Sequence, residues 1–131
     1  MKTFRELKIW QQAHNLTLLV YEATTLLPSS ELYGLVSQMR RAAVSIAANI
    51  VEGHKRHSQK EFLQFHGIAD GSLEEVKYYI ILSSDLRYLK PITVTQLQEQ
   101  ADLTGRLLGR FKQHLRNGGS HEQQQKTLIH T

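Results

Sequence analysis

Gln38-Met39-Arg40-Arg41-Ala42-Ala43-Val44-Ser45-Ile46-Ala47-Ala48-Asn49-Ile50-Val51-Glu52-Gly53-His54-Lys55-Arg56 reads as a helix whose polar groups form one narrow stripe between two apolar faces. At about 100° per residue, Gln38, Arg41, Ser45, Asn49 and Glu52 fall within roughly 80°, and Arg56 continues the line past Gly53. Leu35, Met39, Ala42, Ala43, Ile46 and Ile50 make one apolar face. Val44, Ala48 and Val51 lie toward the far side, where a surface helix ordinarily carries charge. Two apolar faces require two packing partners, one inside the fold and one beyond it.

Outward from this segment the same helical periodicity repeats. Toward the N-terminus, Ile9, Ala13, Leu16, Val20, Ala23 and Leu27 predict a helix over about 5–27. Pro28 then punctuates the chain, and Ser29 or Ser30 is expected to cap the second helix, about 30–52, with Glu31 in its first turn. Gly53 is the expected stop, because glycine suits the left-handed turn after a helix end. Ser58-Gln59-Lys60-Glu61 fits a capping box opening a third helix, about 58–89, with Phe62, Phe65, Ala69, Ser72, Val76, Tyr79 and Leu86 at core spacing. Gly67 and Gly71 in it would let another backbone approach closely. After Pro91, with Thr93 or Thr95 as cap, Leu97, Ala101, Thr104, Leu108, Phe111 and Leu115 mark a fourth helix, about 94–116, ending near Asn117-Gly118-Gly119. No strand pattern or internal repeat is visible.

The expected fold is therefore all-α, an antiparallel up-down-up-down four-helix bundle over 1–117 followed by a flexible polar tail, 118–131. A length of 131 residues suits one domain. Absence of cysteine removes disulfides, thiolate nucleophiles and cysteine-ligated zinc. No signal-peptide or membrane-span pattern occurs, so a soluble cytoplasmic protein with no membrane association is expected. Apolar residues also go most of the way round parts of the first helix (Leu16 to Tyr21) and the third (Tyr78 to Leu82). This surplus points to subunit interfaces and a homo-oligomer.

Five stretches carry a family resemblance: Phe4 to Leu7 leading into Ile9-Trp10-Gln11; Leu27-Pro28 before Glu31-Leu32-Tyr33-Gly34-Leu35; Gln38 to Ile46; Asn49 to Gly53; and Gly71-Ser72-Leu73-Glu74-Glu75. In order and spacing the chain resembles the bacterial four-helix-bundle proteins encoded in intervening sequences of 23S ribosomal RNA genes. These are related to the accessory variability proteins of diversity-generating retroelements. The resemblance implies a bundle assembling into a ring, a homopentamer, without a catalytic centre. In the retroelement relatives such a ring is basic and works with a reverse transcriptase and nucleic acid, and this chain is closer to the intervening-sequence branch.

Net charge is +4, and in the expected topology it is unevenly spread. Lys2, Arg5, Lys8, Lys55, Arg56, Lys60, Arg106, Arg110, Lys112 and Arg116 are expected at one end, opposed by Glu6, Glu52 and Glu61. The remainder of the bundle holds more carboxylates than cations. Helix dipoles account for Lys55, Arg110 and Arg116 near helix C-termini, but not for Lys2, Arg5, Lys8 and Lys60 near N-termini. Lys55, Arg56, Lys60, Arg106, Arg110 and Arg116 are thus candidate RNA-binding residues, the alternative being a solvated, dipole-compensating end. No base-reading motif is visible. A protein-binding structural adaptor is the second functional expectation.

The stripe Gln38, Arg41, Ser45, Asn49 and Glu52 is expected to be a structural or interfacial polar network, with Arg41 pairing a third-helix glutamate such as Glu75. His54, His57 and Glu61 straddle a helix break and make a poor metal site, so neither metal nor cofactor is expected. Tyr78 and Tyr79 could stack bases, but their helical spacing in an apolar run suits core or interface better. Arg116 and His121 have the Arg-x4-His spacing of a class of RNA-cleaving four-helix domains, a remote ribonuclease alternative weakened by the intervening glycines. The protein is not expected to be an enzyme.

Overall fold

A computed structural model describes residues 3–119. Four α-helices dominate them: α1 (Lys8–Thr24), α2 (Ser37–His54), α3 (Gln59–Asp85) and α4 (Pro91–Arg116), and there is no strand among the described residues. A 3-10 turn, Phe4–Glu6, precedes α1, with the Phe4 ring edge-on to Trp10 at 5.1 Å. Each helix packs extensively on two others, α1 on α2 and α4, α3 on α2 and α4, around one shared core.

The core follows the spacing that made the helices legible. In α4, Val94, Leu97, Ala101, Thr104, Leu108, Phe111 and Leu115 are all buried, alternating steps of three and four. Ile9, Ala13, Leu16, Val20 and Ala23 do the same in α1, and Met39, Ala43, Ile46 and Ile50 in α2, with Ala42 buried beside them. Polar pairs link the helices: Thr17 donates to the Ala43 carbonyl at 3.2 Å, Ser72 to Ser45 Oγ at 2.8 Å, and Gln100 Nε2 to the Gln12 carbonyl at 3.0 Å.

Several boundaries depart from the expected ones, each for a local reason. The second helix is not continuous from residue 30. A 3-10 turn, Ser29–Glu31, leads into a π-helical segment, Leu32–Val36, in which Gly34 (φ −109°, ψ −107°) leaves helical geometry. Neither Ser29 nor Ser30 supplies a cap; Glu31 does, accepting from Leu35 N at 3.3 Å while its other oxygen accepts from Tyr88 Oη at 2.9 Å. Gly53 does not end α2. It is buried one residue inside the helix, where a Cβ would lie 2.5 Å from Phe62 Cδ1, so it is needed for close approach of α3. Gly67 and Gly71 meet no neighbour among the described residues.

The third helix ends at Asp85, not near residue 89, and Leu86 is exposed. Its end is a Schellman motif with Arg87 in the glycine-favouring position at φ 61°: Arg87 N donates to Ser84 O and Tyr88 N to Ser83 O, both 2.9 Å. The fourth helix starts earlier than residue 94, at Pro91, whose missing N–H costs nothing at the first helical position. No side chain caps it. The fourth helix closes with a similar motif, Gly118 at φ 81°. Ser58 accepts from Glu61 N at 3.1 Å, the serine half of the expected capping box; the Glu61 side chain makes no return bond among the described residues. The bulk of the expected tail, 120–131, lies outside the described residues.

Candidate functional site

The last turn of α2, the first of α3 and the last turns of α4 meet at one end. Gly53 abuts Phe62, and the Phe62 ring tilts against Phe111 with centroids 5.0 Å apart. The Phe4–Glu6 turn lies there too, since Glu6 acts electrostatically on His54. Arg5, Lys8, Lys55, Arg56, Lys60, Arg110, Lys112 and Arg116 therefore gather around this end with Glu6, Glu52 and Glu61. Lys55, Lys60, Arg110 and Arg116 are exposed. Arg56 is already engaged: Nη2 reaches Glu52 at 3.1 Å, one turn back, and the guanidinium lies 4.7 Å over the Phe65 ring.

Arg106 does not join them. Ten residues before Arg116, it sits about 15 Å back along α4, flanked by grooves that Asp70, Glu74 and Asp102 line on one side and Glu22 and Glu99 on the other. A count of charges along the chain assigned it to the basic end. Its neighbours across the helices are mostly carboxylates, which only the packing register reveals.

The polar stripe of α2 divides into three local groups. Gln38 Oε1 accepts from Arg41, whose Nη2 donates to Glu75 Oε2 at 2.6 Å, and Tyr79 Oη donates to that same oxygen at 2.8 Å. Burial, and then the Glu75 carboxylate, push the Tyr79 hydroxyl above its ordinary range. Asn49 donates to the carbonyl and hydroxyl of Ser45, which also takes the Ser72 hydrogen bond. Glu52 accepts from Arg56 one turn on, which closes the stripe toward the α2–α3 turn. No cluster of metal-ligating side chains occurs among the described residues, and His121 lies outside them.

A family model described as 23S rRNA-intervening sequence protein matches residues 5–110. The chain belongs to that family. Among solved structures, it resembles a protein of unknown function from the S23 ribosomal protein family of Bacteroides thetaiotaomicron, with TM-score 0.72 and 19% identity. The likeness covers 79% of this chain and 97% of that one, and it shows the fold. No curated protein matches. In this intervening-sequence family member the matched span takes in all of α1, α2 and α3, the π-helical kink, and most of α4.

Three features escaped the sequence. His66 is 1% exposed, between Phe62 and Ala69 in the core of α3. Its Nε2 faces the Leu108 carbonyl at 2.6 Å, which can only accept, so the proton is on Nε2. Nδ1 then stands 3.4 Å from Asp70 Oδ2 without hydrogen-bond alignment. Burial drives the His66 pKa below its ordinary value, against the pull of Leu108 and Asp70. Its place at a core-spaced position was the available signal. Arg40 was also missed: Nε donates to Thr24 Oγ1 at 2.8 Å and Nη2 to the Tyr21 carbonyl at 3.3 Å, and the guanidinium lies 4.6 Å over the Tyr21 ring. It thus serves the carbonyl end of α1 with a cation. The third is Tyr33, 93% exposed on the kink, where an unbroken helix gave no reason for it to project.

Proposed function

We propose that this chain is a non-enzymatic, homo-oligomeric, cytoplasmic four-helix bundle that binds RNA through its basic end. The carrying observation is the charge at the end shared by the Phe4–Glu6 turn, the start of α1, the α2–α3 turn and the end of α4: eight cations against three carboxylates, where the rest of the described residues hold six against eight. Lysine and arginine in that ratio suit phosphate contacts, which bind tightly at low salt and carry no sequence information. The up-down-up-down, antiparallel course is supported by the helix pairings, in which Arg41 meets Glu75 and Gly53 meets Phe62, numbers rising on one helix as they fall on the next. Exposed Tyr33, Val44, Tyr78 and Ile81 support self-association, and family membership supports a ring, a pentamer. A reverse transcriptase partner is what the retroelement branch of the resemblance implies.

The test is fluorescence anisotropy with a labelled RNA at low salt, comparing the natural chain with Lys55→Glu/Lys60→Glu/Arg110→Glu. Affinity should drop at least about tenfold, the loss of two or more phosphate contacts, with the light-scattering mass unchanged. Unchanged affinity would remove these residues from the site, and no RNA retention by the natural chain would remove the function.

A further inference from the structure

Two partly apolar grooves on opposite flanks of α1 are bordered by net charge of opposite sign. The first lies at the π-helical kink: Tyr21, Leu32, Tyr33, Val36 and Val44 line a groove with Arg40. Tyr33 and Leu32 are 93% and 50% exposed, side by side at the rim of this groove. Among the described residues Arg40 bonds only neutral oxygens, so a half-buried cation borders this patch without a carboxylate. The second patch lies between α1 and α4, where Leu19, Leu26 and Leu103 line two adjoining grooves with Gln96, two carboxylates, Glu22 and Glu99, and one cation, Arg106. Both glutamates are exposed, and neither forms an ion pair among the described residues. Positions 21 and 22 of one helix thus look toward different patches, about 100° apart.

We infer that the kink patch of one molecule docks into the α1–α4 groove of a second copy, with Tyr33 as the inserted side chain and Arg40 meeting Glu22 or Glu99. This rests on the homo-oligomer reading above and adds which surfaces meet and with what polarity. Charge decides the polarity. Kink against kink would set Arg40 beside its own copy, and groove against groove would join two edges in which Glu22 and Glu99 outnumber Arg106, whereas kink in groove brings Arg40 to the net-negative edge. The contact is head-to-tail, so each copy keeps one free patch of each kind and more than two copies assemble. The geometry of the kink supplies the knob. Gly34 breaks the helix and Glu31 ties the displaced turn to Leu35 N and Tyr88, so Tyr33 is held outward by a fixed backbone. An exposed aromatic held rigidly in this way loses little entropy on insertion.

The chain has no cysteine, so single cysteines report the contact directly. Tyr33→Cys and Gln96→Cys are made separately and together and treated with a short bismaleimide cross-linker. A mixture of the two single variants should give covalent dimers, the double variant a ladder of multimers, and Tyr33→Cys alone none. In parallel, Tyr33→Asp should weaken assembly at least about thirtyfold by light scattering, the loss expected of a central aromatic anchor, without altering the thermal transition of the separated subunit. Efficient dimer formation by Tyr33→Cys alone would overturn the head-to-tail assignment. So would assembly unchanged in Tyr33→Asp. A natural chain that stays monomeric overturns this contact and the oligomeric part of the proposed function together, while an oligomer without the 33–96 link overturns the contact alone.

Discussion

At the residue scale, His66 shows how burial converts an ordinary side chain into a pH-dependent part of the fold. Its imidazole is enclosed by the Leu108 carbonyl, Asp70 and the Phe111 ring, which stacks nearly parallel at 6.3 Å, within the field of Lys112 and Arg116. The folded pKa lies below the ordinary 6.5 of the unfolded chain. Above that pH both states leave the ring neutral. As pH falls below it the unfolded chain takes up the proton first, so stability declines from about pH 6.5 down to the folded value and then levels. Urea midpoints measured between pH 7.5 and 5 should show this decline, and His66→Gln, which keeps a donor for Leu108 but cannot titrate, should reduce it to the share of His54, whose pKa burial also lowers. Arg87 is the opposite case, an exposed side chain in a backbone conformation that disfavours it. Arg87→Gly should raise stability by about 0.5–1 kcal/mol, the left-handed penalty less the added freedom of the unfolded chain. A chemical-denaturation midpoint unchanged or lowered would mean that the arginine side chain has a stabilising contact of its own.

At the element scale, the helices were legible because four apolar stripes keep a period near 3.6 and because Pro28, Ser58, Pro91 and Gly118 punctuate them. The start of α3 was set by Ser58 alone, through a hydrogen bond between near neighbours. The kink at Leu32–Val36 was not legible, since its stabilising contact comes from Tyr88, fifty-seven positions away. Gly53 illustrates the same limit. Its local signal is that of a helix terminator, yet Phe62 packs on its bare Cα and α2 continues past it. Gly53→Ala should therefore destabilise the fold by about 1–3 kcal/mol, the overpacking cost exceeding the gain in helix propensity of about 1 kcal/mol. Thermal or urea unfolding checks the sign: a stabilised alanine variant would show that Phe62 and Phe65 yield without penalty.

At the scale of the whole molecule, charge and apolar exposure occupy different surfaces. The basic end lies at the α2–α3 turn, and the exposed apolar patches lie along the flanks of α1, with the kink at the far end of α2. Binding of RNA at the end and of further copies at the flanks would then be separable. RNA affinity should fall with rising salt, log K against log salt sloping at about −0.7 per phosphate contacted, and each lysine removed from the contact should reduce that slope by about 0.7. Lys55→Glu/Lys60→Glu should lower the slope by roughly 1.4 units, whereas Tyr33→Asp leaves the per-subunit slope unchanged. Equal slopes in the natural chain and the lysine variant would exclude those side chains from phosphate contact.

By itself the sequence determined the all-α class, the number of helices and the buried faces of α1, α2 and α4, because periodicity acts between residues a turn apart. In α3 it set Phe65 and Tyr79 in the core, where His66 and Ile80 are buried and those two only half-buried. It also determined the Arg41 to Glu75 pairing as one choice among a few, since helix order limits which carboxylates α2 meets. Only tertiary structure decided where α2 breaks, why Gly53 is glycine, that His66 lies in the core, and that Arg106 stands among carboxylates away from the basic end. Each of those depends on a partner distant in the chain, brought near by the register of one helix against another, and a register is set by the whole core at once.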